Sequence, residues 1–328
     1  MIERSDQRRT WRVMLTPRVA GAAWAAFAAL LNTAAFAQSE DRADGTDGSA
    51  KAKPAHFHHV HLNVTDPQKT IDFYRRYLGA VEVRYRDRAP ALFTERSFLL
   101  LEKVPEAAPD APKSVIQHIG WAGVTGQAEY DWLVAQGVEF QTPIGQLGDN
   151  YGMYFYGPDR ELIEIWTGGK HHRFDHLHLW ASDVAASSKW FRDHLGLEPR
   201  VGPKPQTQDR ESLGSLWMSF LQCDNVNIVF FGRPDFESVW FPGANFTPSD
   251  GPEGDFAPTR GRVIDHFGFS YREIEPVFQR MKAAGVEIVA PIGVDEETGI
   301  KSFFVQAPDG LLIEVVEERP IPEGIWED

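Results

Sequence analysis

Four stretches of this chain carry one local pattern, and any fold must accommodate all four. His59-Val60-His61-Leu62 runs on to Asp72-Phe73-Tyr74-Arg75-Arg76-Tyr77-Leu78-Gly79. His176-Leu177-His178-Leu179 runs on to Lys189-Trp190-Phe191-Arg192-Asp193-His194-Leu195-Gly196. His59 to Tyr74 and His176 to Phe191 are equally spaced, as are His59 to Gly79 and His176 to Gly196. A second pair opens on His118-Ile119-Gly120-Trp121 and His266-Phe267-Gly268-Phe269. It continues to Gly137-Val138-Glu139 and Gly285-Val286-Glu287. Each of these closes on Pro-Asp-x-x-Leu-Ile-Glu, Pro158 to Glu164 and Pro308 to Glu314.

Each unit reads as a short alternating strand, a helix ending at Gly, and further strands. Ile71, Tyr74 and Leu78 have helical apolar spacing, and Gly79 stands where a left-handed cap belongs. The fold class is α+β: four βαβββ modules in two consecutive pairs, over 55–170 and 171–320, with a tail at 321–328. The second pair carries a segment at 236–259 rich in Pro, Gly and aromatics, with no clear period. It reads as a long loop over a site or against a partner subunit.

What precedes the repeats reads as an address. Arg4, Arg8, Arg9, Arg12 and Arg18 form a basic start, and an Ala-rich apolar run closes on Ala35-Phe36-Ala37. The run is short for a membrane span. Residues 1–37 therefore read as a signal peptide, and Arg8-Arg9 resembles a twin-arginine signal. Residues 38–54 have no large apolar side chain and read as a flexible linker. The expected location is periplasmic or secreted, with no membrane association after cleavage.

Lys and Arg number 33 against 47 Asp and Glu, a net charge of −14. So acidic a chain is a poor match for nucleic acid or anionic lipid. Cys223 is the only cysteine, which excludes an internal disulfide and a cysteine-held metal site. A metal would have to be held by His, Asp and Glu.

The His-headed modules and the Leu-Ile-Glu endings resemble the vicinal oxygen chelate superfamily. It includes glyoxalase I, type I extradiol dioxygenases, and fosfomycin and bleomycin resistance proteins. The resemblance implies that each pair of modules forms a curved, incomplete barrel around a metal. First strands and the last strand of a pair then supply the ligands. In the first and third modules, His59 and His61, and His176 and His178, share a strand face, so either of each pair is open. The second and fourth modules have Gly120 and Gly268 at the later position, leaving His118 and His266. By that register the sets are His59, His118, Glu164 and His176, His266, Glu314. His56 and His58 fall on the opposite face and read as solvated strand-end residues.

Two imidazoles and one carboxylate leave open positions on a divalent ion such as Fe, Mn, Ni or Zn. A small molecule with two neighbouring oxygens fills them and is polarised. Glu164 and Glu314 are thus expected to serve catalysis as well as binding. Tyr154 lies where extradiol enzymes keep a Tyr assisting the substrate hydroxyl, and Phe304 has that place in the second pair. Neither pair has the His that signature wants before it, and Arg160 replaces its Gly. Glu102 ends the last strand of the first module, a region where glyoxalase I has a fourth ligand; here it reads as a solvated strand end. The leading expectation is a dioxygenase-like metal enzyme. The alternatives are a glyoxalase-like lyase or isomerase and a small-molecule-binding resistance-type protein. The partner is a small molecule, and a homodimer is possible.

Overall fold

The structure, a computed structural model, describes residues 54–111, 113–147, 149–200, 218–232 and 255–318. Residues 1–37, read above as a signal peptide, nearly all of 38–54, most of the 236–259 segment and the tail lie outside the described residues.

Among the described residues each module has the expected order. The first has β1 (His56–Val64), α1 (Pro67–Leu78), β2 (Val81–Tyr85), β3 (Ala89–Thr94) and β4 (Ser97–Lys103). The second has β5 (Ile116–Gly123), α2 (Gly126–Ala135), β6 (Gly145–Leu147), β7 (Asn150–Tyr156) and β8 (Leu162–Thr167). The third has β9 (Arg173–Ala181), α3 (Val184–Leu195), β10 (Glu198–Pro199), β11 (Met218–Cys223) and β12 (Val226–Gly232). The fourth has β13 (Ile264–Tyr271), α4 (Glu275–Ala283), β14 (Ile288–Val294), β15 (Lys301–Gln306) and β16 (Leu312–Glu317). No described helix is long and apolar enough to cross a membrane.

The helices start and stop for local reasons. Asp66 accepts a hydrogen bond from the Lys69 N–H and Pro67 follows, so α1 begins there. Asp183 does the same for α3 through the Ala186 N–H. Gly79 and Gly196 end these helices at φ 66° and 69°, a left-handed conformation costly to other residues.

The strands form two open eight-stranded sheets, and the modules pair crosswise. One sheet runs β14-β15-β16-β13-β1-β4-β3-β2, the other β10-β11-β12-β9-β5-β8-β7-β6. Module one therefore pairs with module four, and module two with module three. Consecutive pairing over 55–170 and 171–320 is not what the sheets show. The physical reason lies in the connections. Only residues 168–172 separate β8 from β9, so β9 stays in the sheet it leaves. Longer segments, 104–115 and 233–263, follow β4 and β12 and cross to the other sheet.

One face of each sheet packs into a shared core. Val60, Leu62, Ile119, Leu177 and Phe267 are fully buried there. Phe57 stacks on Phe174 at 5.4 Å, and Tyr74 lies 5.5 Å from Trp121, joining the sheets. The Pro-Asp turns also tie consecutive modules. Asp159 accepts from Thr65 N and Oγ1, and Asp309 from Ser182 N and Oγ.

Two buried acids set a pH dependence. Burial pushes Asp110 up to about 8, with Glu161 adding to it against the Ile264 N–H. Burial pushes Glu161 up to about 7, despite bonds from Tyr74 and Asp159. Both therefore hold protons in the folded chain that the unfolded chain releases above about pH 4. Stability from these groups falls as pH rises from about 4 to about 8. Asp110→Asn is expected to flatten this fall by more than about 1.4 kcal/mol, the worth of one pK unit. Denaturant melts of both proteins at pH 5 and pH 9 check it; parallel losses would overturn it.

Candidate metal centres

The face of each sheet opposite the core carries histidines at its centre. In β1 and β13, His61 stands opposite His266, and His59 opposite Gly268. In β5 and β9, His178 stands opposite His118, and His176 opposite Gly120. The neighbouring parallel strands complete the row: Glu164 lies beside Gly120, and Glu314 beside Gly268.

The inner centre is drawn from modules two and three. His118 Nε2 and His176 Nε2 lie 2.9 Å and 2.7 Å from one oxygen of Glu164, Oε2. All three side chains are buried. The outer centre, from modules one and four, repeats this more loosely. His59 Nε2 and His266 Nε2 lie 3.2 Å and 3.4 Å from Glu314 Oε2. The six residues expected from the sequence all face these two centres, but in the sets His118, Glu164, His176 and His59, His266, Glu314. Each centre is built within one chain.

The glycines at +2 exist for their neighbours' rings. A Cβ on Gly120 would sit 2.0 Å from His176 Nε2, and one on Gly268 2.1 Å from His59 Nδ1. Such overlap forces the imidazole out. Gly120→Ala is expected to lower stability by about 1–3 kcal/mol, the usual cost of overpacking. Gly145→Ala is the control, since its methyl meets nothing closer than 4.0 Å. Thermal melts of the two variants compare them; equal midpoints would contradict the account.

The residue before each of His59, His118, His176 and His266 is the extra residue of a β-bulge. Pairing skips His58 and Asp265 in the β1–β13 ladder, and Gln117 and Asp175 in the β5–β9 ladder. A bulge re-aims a side chain. Asp175 thereby meets His176 Nδ1 at 3.1 Å, and Asp265 meets His266 Nδ1 at 2.6 Å. His58 is buried, not solvated as a strand end would be. It shares a 2.7 Å Nδ1–Nδ1 hydrogen bond with His59, and its Nε2 bonds Glu318 at 2.9 Å. Tyr85 donates to the same Glu318 oxygen at 2.6 Å. The bulge also sends Phe57 into the core, away from the face that carries His59. His56 is half-buried and bonds Asp224. Only His118 Nδ1 is left buried without a partner among the described residues of the centres. The sequence held a signal for these bulges. Two non-apolar residues stand between apolar ones at one place in every module: His58-His59, Gln117-His118, Asp175-His176 and Asp265-His266.

The electrostatics follow from burial and these partners. Burial pulls His176 down, but Asp175 and Glu164 together push it up to about 9. Burial also pulls His266 down, and Asp265 and Glu314 likewise push it up to about 9. Burial dominates His59, which falls to about 4, and lowers His118 as well. Glu164 is raised by burial but held well below the carboxylate range by His118 and His176. In each centre a buried carboxylate is thus balanced by one protonated imidazole. A cation could take the place of that proton, since unpaired buried charge is costly. Both clusters could hold a metal ion: His118, Glu164, His176 and His178 in one, and His59, His61 and His266 in the other, with Glu314 beside it.

The remaining candidates separate the centres. Tyr154 is buried opposite Glu164, is hydrogen-bonded to it, and lies edge-on to His118 at 5.3 Å. Phe304 has the matching place beside Glu314 and His266. Glu102 is exposed, opposite Asn63. By the internal symmetry, the places matching Glu164 and Glu314 in the odd modules are Leu100, opposite His61, and Val229, opposite His178.

Known structures share this architecture. Glyoxalase I from Zea mays is 14% identical with a TM-score of 0.57, over 80% of this chain and 92% of its own. A putative dioxygenase from Bacillus subtilis subsp. subtilis str. 168 is 13% identical with a TM-score of 0.55, over 81% and 86%. At such identities the likeness shows the fold alone. No curated protein matches the sequence. The profile of one family matches residues 56–165 and 173–315, and by that match the chain belongs to the Glyoxalase/Bleomycin resistance protein/Dioxygenase superfamily.

Proposed function

We propose that this chain is a metal-dependent enzyme of oxygenase type, working chiefly at the inner centre on a small molecule with two neighbouring oxygens. The observation that carries the reading is the lone carboxylate of each centre. A glyoxalase-like centre would want a further acidic or amide ligand from an odd module. Its place by symmetry is Val229 or Leu100, which cannot ligate. Two imidazoles and one carboxylate that converge on one point match the facial set used by non-haem Fe(II) oxygenases.

His118, Glu164 and His176 would hold the ion, and His59, His266 and Glu314 a second. A bound divalent ion would supply Lewis acidity toward the two substrate oxygens. The chain's own groups do the rest. Asp175 accepts from His176 Nδ1–H and so leaves Nε2 free to ligate. Tyr154 holds its hydroxyl beside Glu164, within the centre, where it can hydrogen-bond and orient a substrate oxygen. Phe231, edge-on to His178 at 4.8 Å, helps keep water from that side. Phe304 offers no hydroxyl, which is why the inner centre is favoured.

Elemental analysis and oxygen uptake test the reading together. Protein purified with its native metal is expected to contain iron and to consume oxygen with catechols. Tyr154→Phe should lower kcat about 100-fold, in the range of general acid–base assistance. Nickel or zinc, with turnover of an α-oxoaldehyde thiol adduct and no oxygen uptake, would replace this reading with the lyase one. We also propose export. The mature protein should then begin at Gln38, which intact-mass measurement on the native protein decides.

A further inference from the structure

We propose that His178 is a fourth protein ligand of the inner centre, so that three imidazoles and one carboxylate hold the ion. This rests on the reading of that centre as a metal site, and it adds a residue outside the His-His-Glu set.

By register alone His178 falls outside the set, because the even modules have Gly at the matching place. The structure removes that ground. Gly120 is small because the His176 ring crosses it, not because the position is idle. His178 directly faces His118 across the β5–β9 ladder, one row from Glu164. Its ring centroid lies 4.2 Å from that of His118 and 4.9 Å from that of His176. One potential ligand atom from each of His118, Glu164, His176 and His178 lies within 4.8 Å of every other. On an ion with bonds of about 2.1 Å, adjacent donor atoms are about 3 Å apart and opposite ones about 4 Å. A pair at the 4.8 Å limit would thus close by at most about 2 Å, about 1 Å for each atom, to share one ion. His178 is also buried and braced edge-on by Phe231, so its ring is not free to swing to solvent. A buried polar ring beside two others and a carboxylate is costly unless something joins them.

The added ligand changes what the centre can accept. A six-coordinate ion would keep two adjacent positions, enough for a substrate that binds through two oxygens, with dioxygen then meeting the bound substrate rather than the ion. A four-coordinate ion would be filled by protein alone and hold no substrate. The outer counterpart, His61, stacks on His266 at 4.5 Å, but the inner centre is the one in which the carboxylate joins the mutual group.

X-ray absorption on the full chain bearing Glu314→Ala, loaded with Co(II), reads the inner centre alone. Three imidazoles per cobalt are expected, falling to two in the added variant His178→Gln, with Co(II) affinity about 10–100-fold weaker. Two imidazoles in the parent protein would overturn the proposal without any variant being needed. So would an unchanged count and an affinity within twofold in His178→Gln. Failure of the parent to bind Co(II) at all would instead sink the metal reading of the centre.

Discussion

Replacing Glu164 with Ala is expected to remove the ion held with His118 and His176 and to spare the one held with His59 and His266. Among the described residues the carboxylate is the only anionic donor in its centre, and both Nε2 atoms converge on its Oε2. Without it, a divalent ion would face neutral imidazoles in a buried site, and affinity should fall at least about 100-fold. Metal content should drop from two ions per chain to one. His176→Ala should empty the same centre, and His59→Ala the one emptied by Glu314→Ala. This pattern is the signature of crosswise modules. Consecutive pairing would couple His176 with Glu314 instead. Pairwise combinations decide it: Glu164→Ala with His176→Ala should retain one ion, and Glu164→Ala with His59→Ala none. The reverse result would mean the pairing is wrong.

Cutting the chain between its consecutive halves should be equally severe. Residues 54–170 contain β1 to β8, but β1 loses β13 and β5 loses β9. Two half-sheets then carry open central edges, the arrangement that invites association between chains. The 54–170 fragment alone is expected to be insoluble or self-associated, and the mixed halves to recover both the fold and the metal content. Light scattering and metal analysis of separate and mixed halves check this. A monomeric 54–170 that binds one ion by itself would contradict the sheet order.

Much of this was legible in the sequence because repetition fixes registers. The helix caps at Gly79 and Gly196 and the common face of the six candidate residues all follow from aligning four like units. Their partnership does not follow. Any odd module beside any even one yields two histidines and one glutamate, so the motifs are satisfied by either pairing. The discriminating signal is the shortness of 168–172, a matter of chain geometry that motif comparison passes over. Side-chain alternation failed for a different reason. It assumes a regular ladder, whereas His58 and Asp175 are extra residues in theirs, and each reaches a ligand ring that strict alternation would deny it. Leu100 and Val229 were invisible as substitutes, because only the ladder shows which residues occupy the place of the glutamates.

The crosswise pairing also orders the assembly of the chain in time. Glu164 and His176 are 12 residues apart, while His59 and His266 are separated by 207. The inner sheet needs nothing beyond β12, so on a translating ribosome it can close while the fourth module is still being made. The outer sheet must hold β1 in waiting until β13 emerges, with its edge open the whole time. The bond of His58 to Glu318 does nothing for β1 in that interval, because Glu318 follows β16 in the chain. Of the strands described, the first made is therefore the one that waits longest for its neighbour.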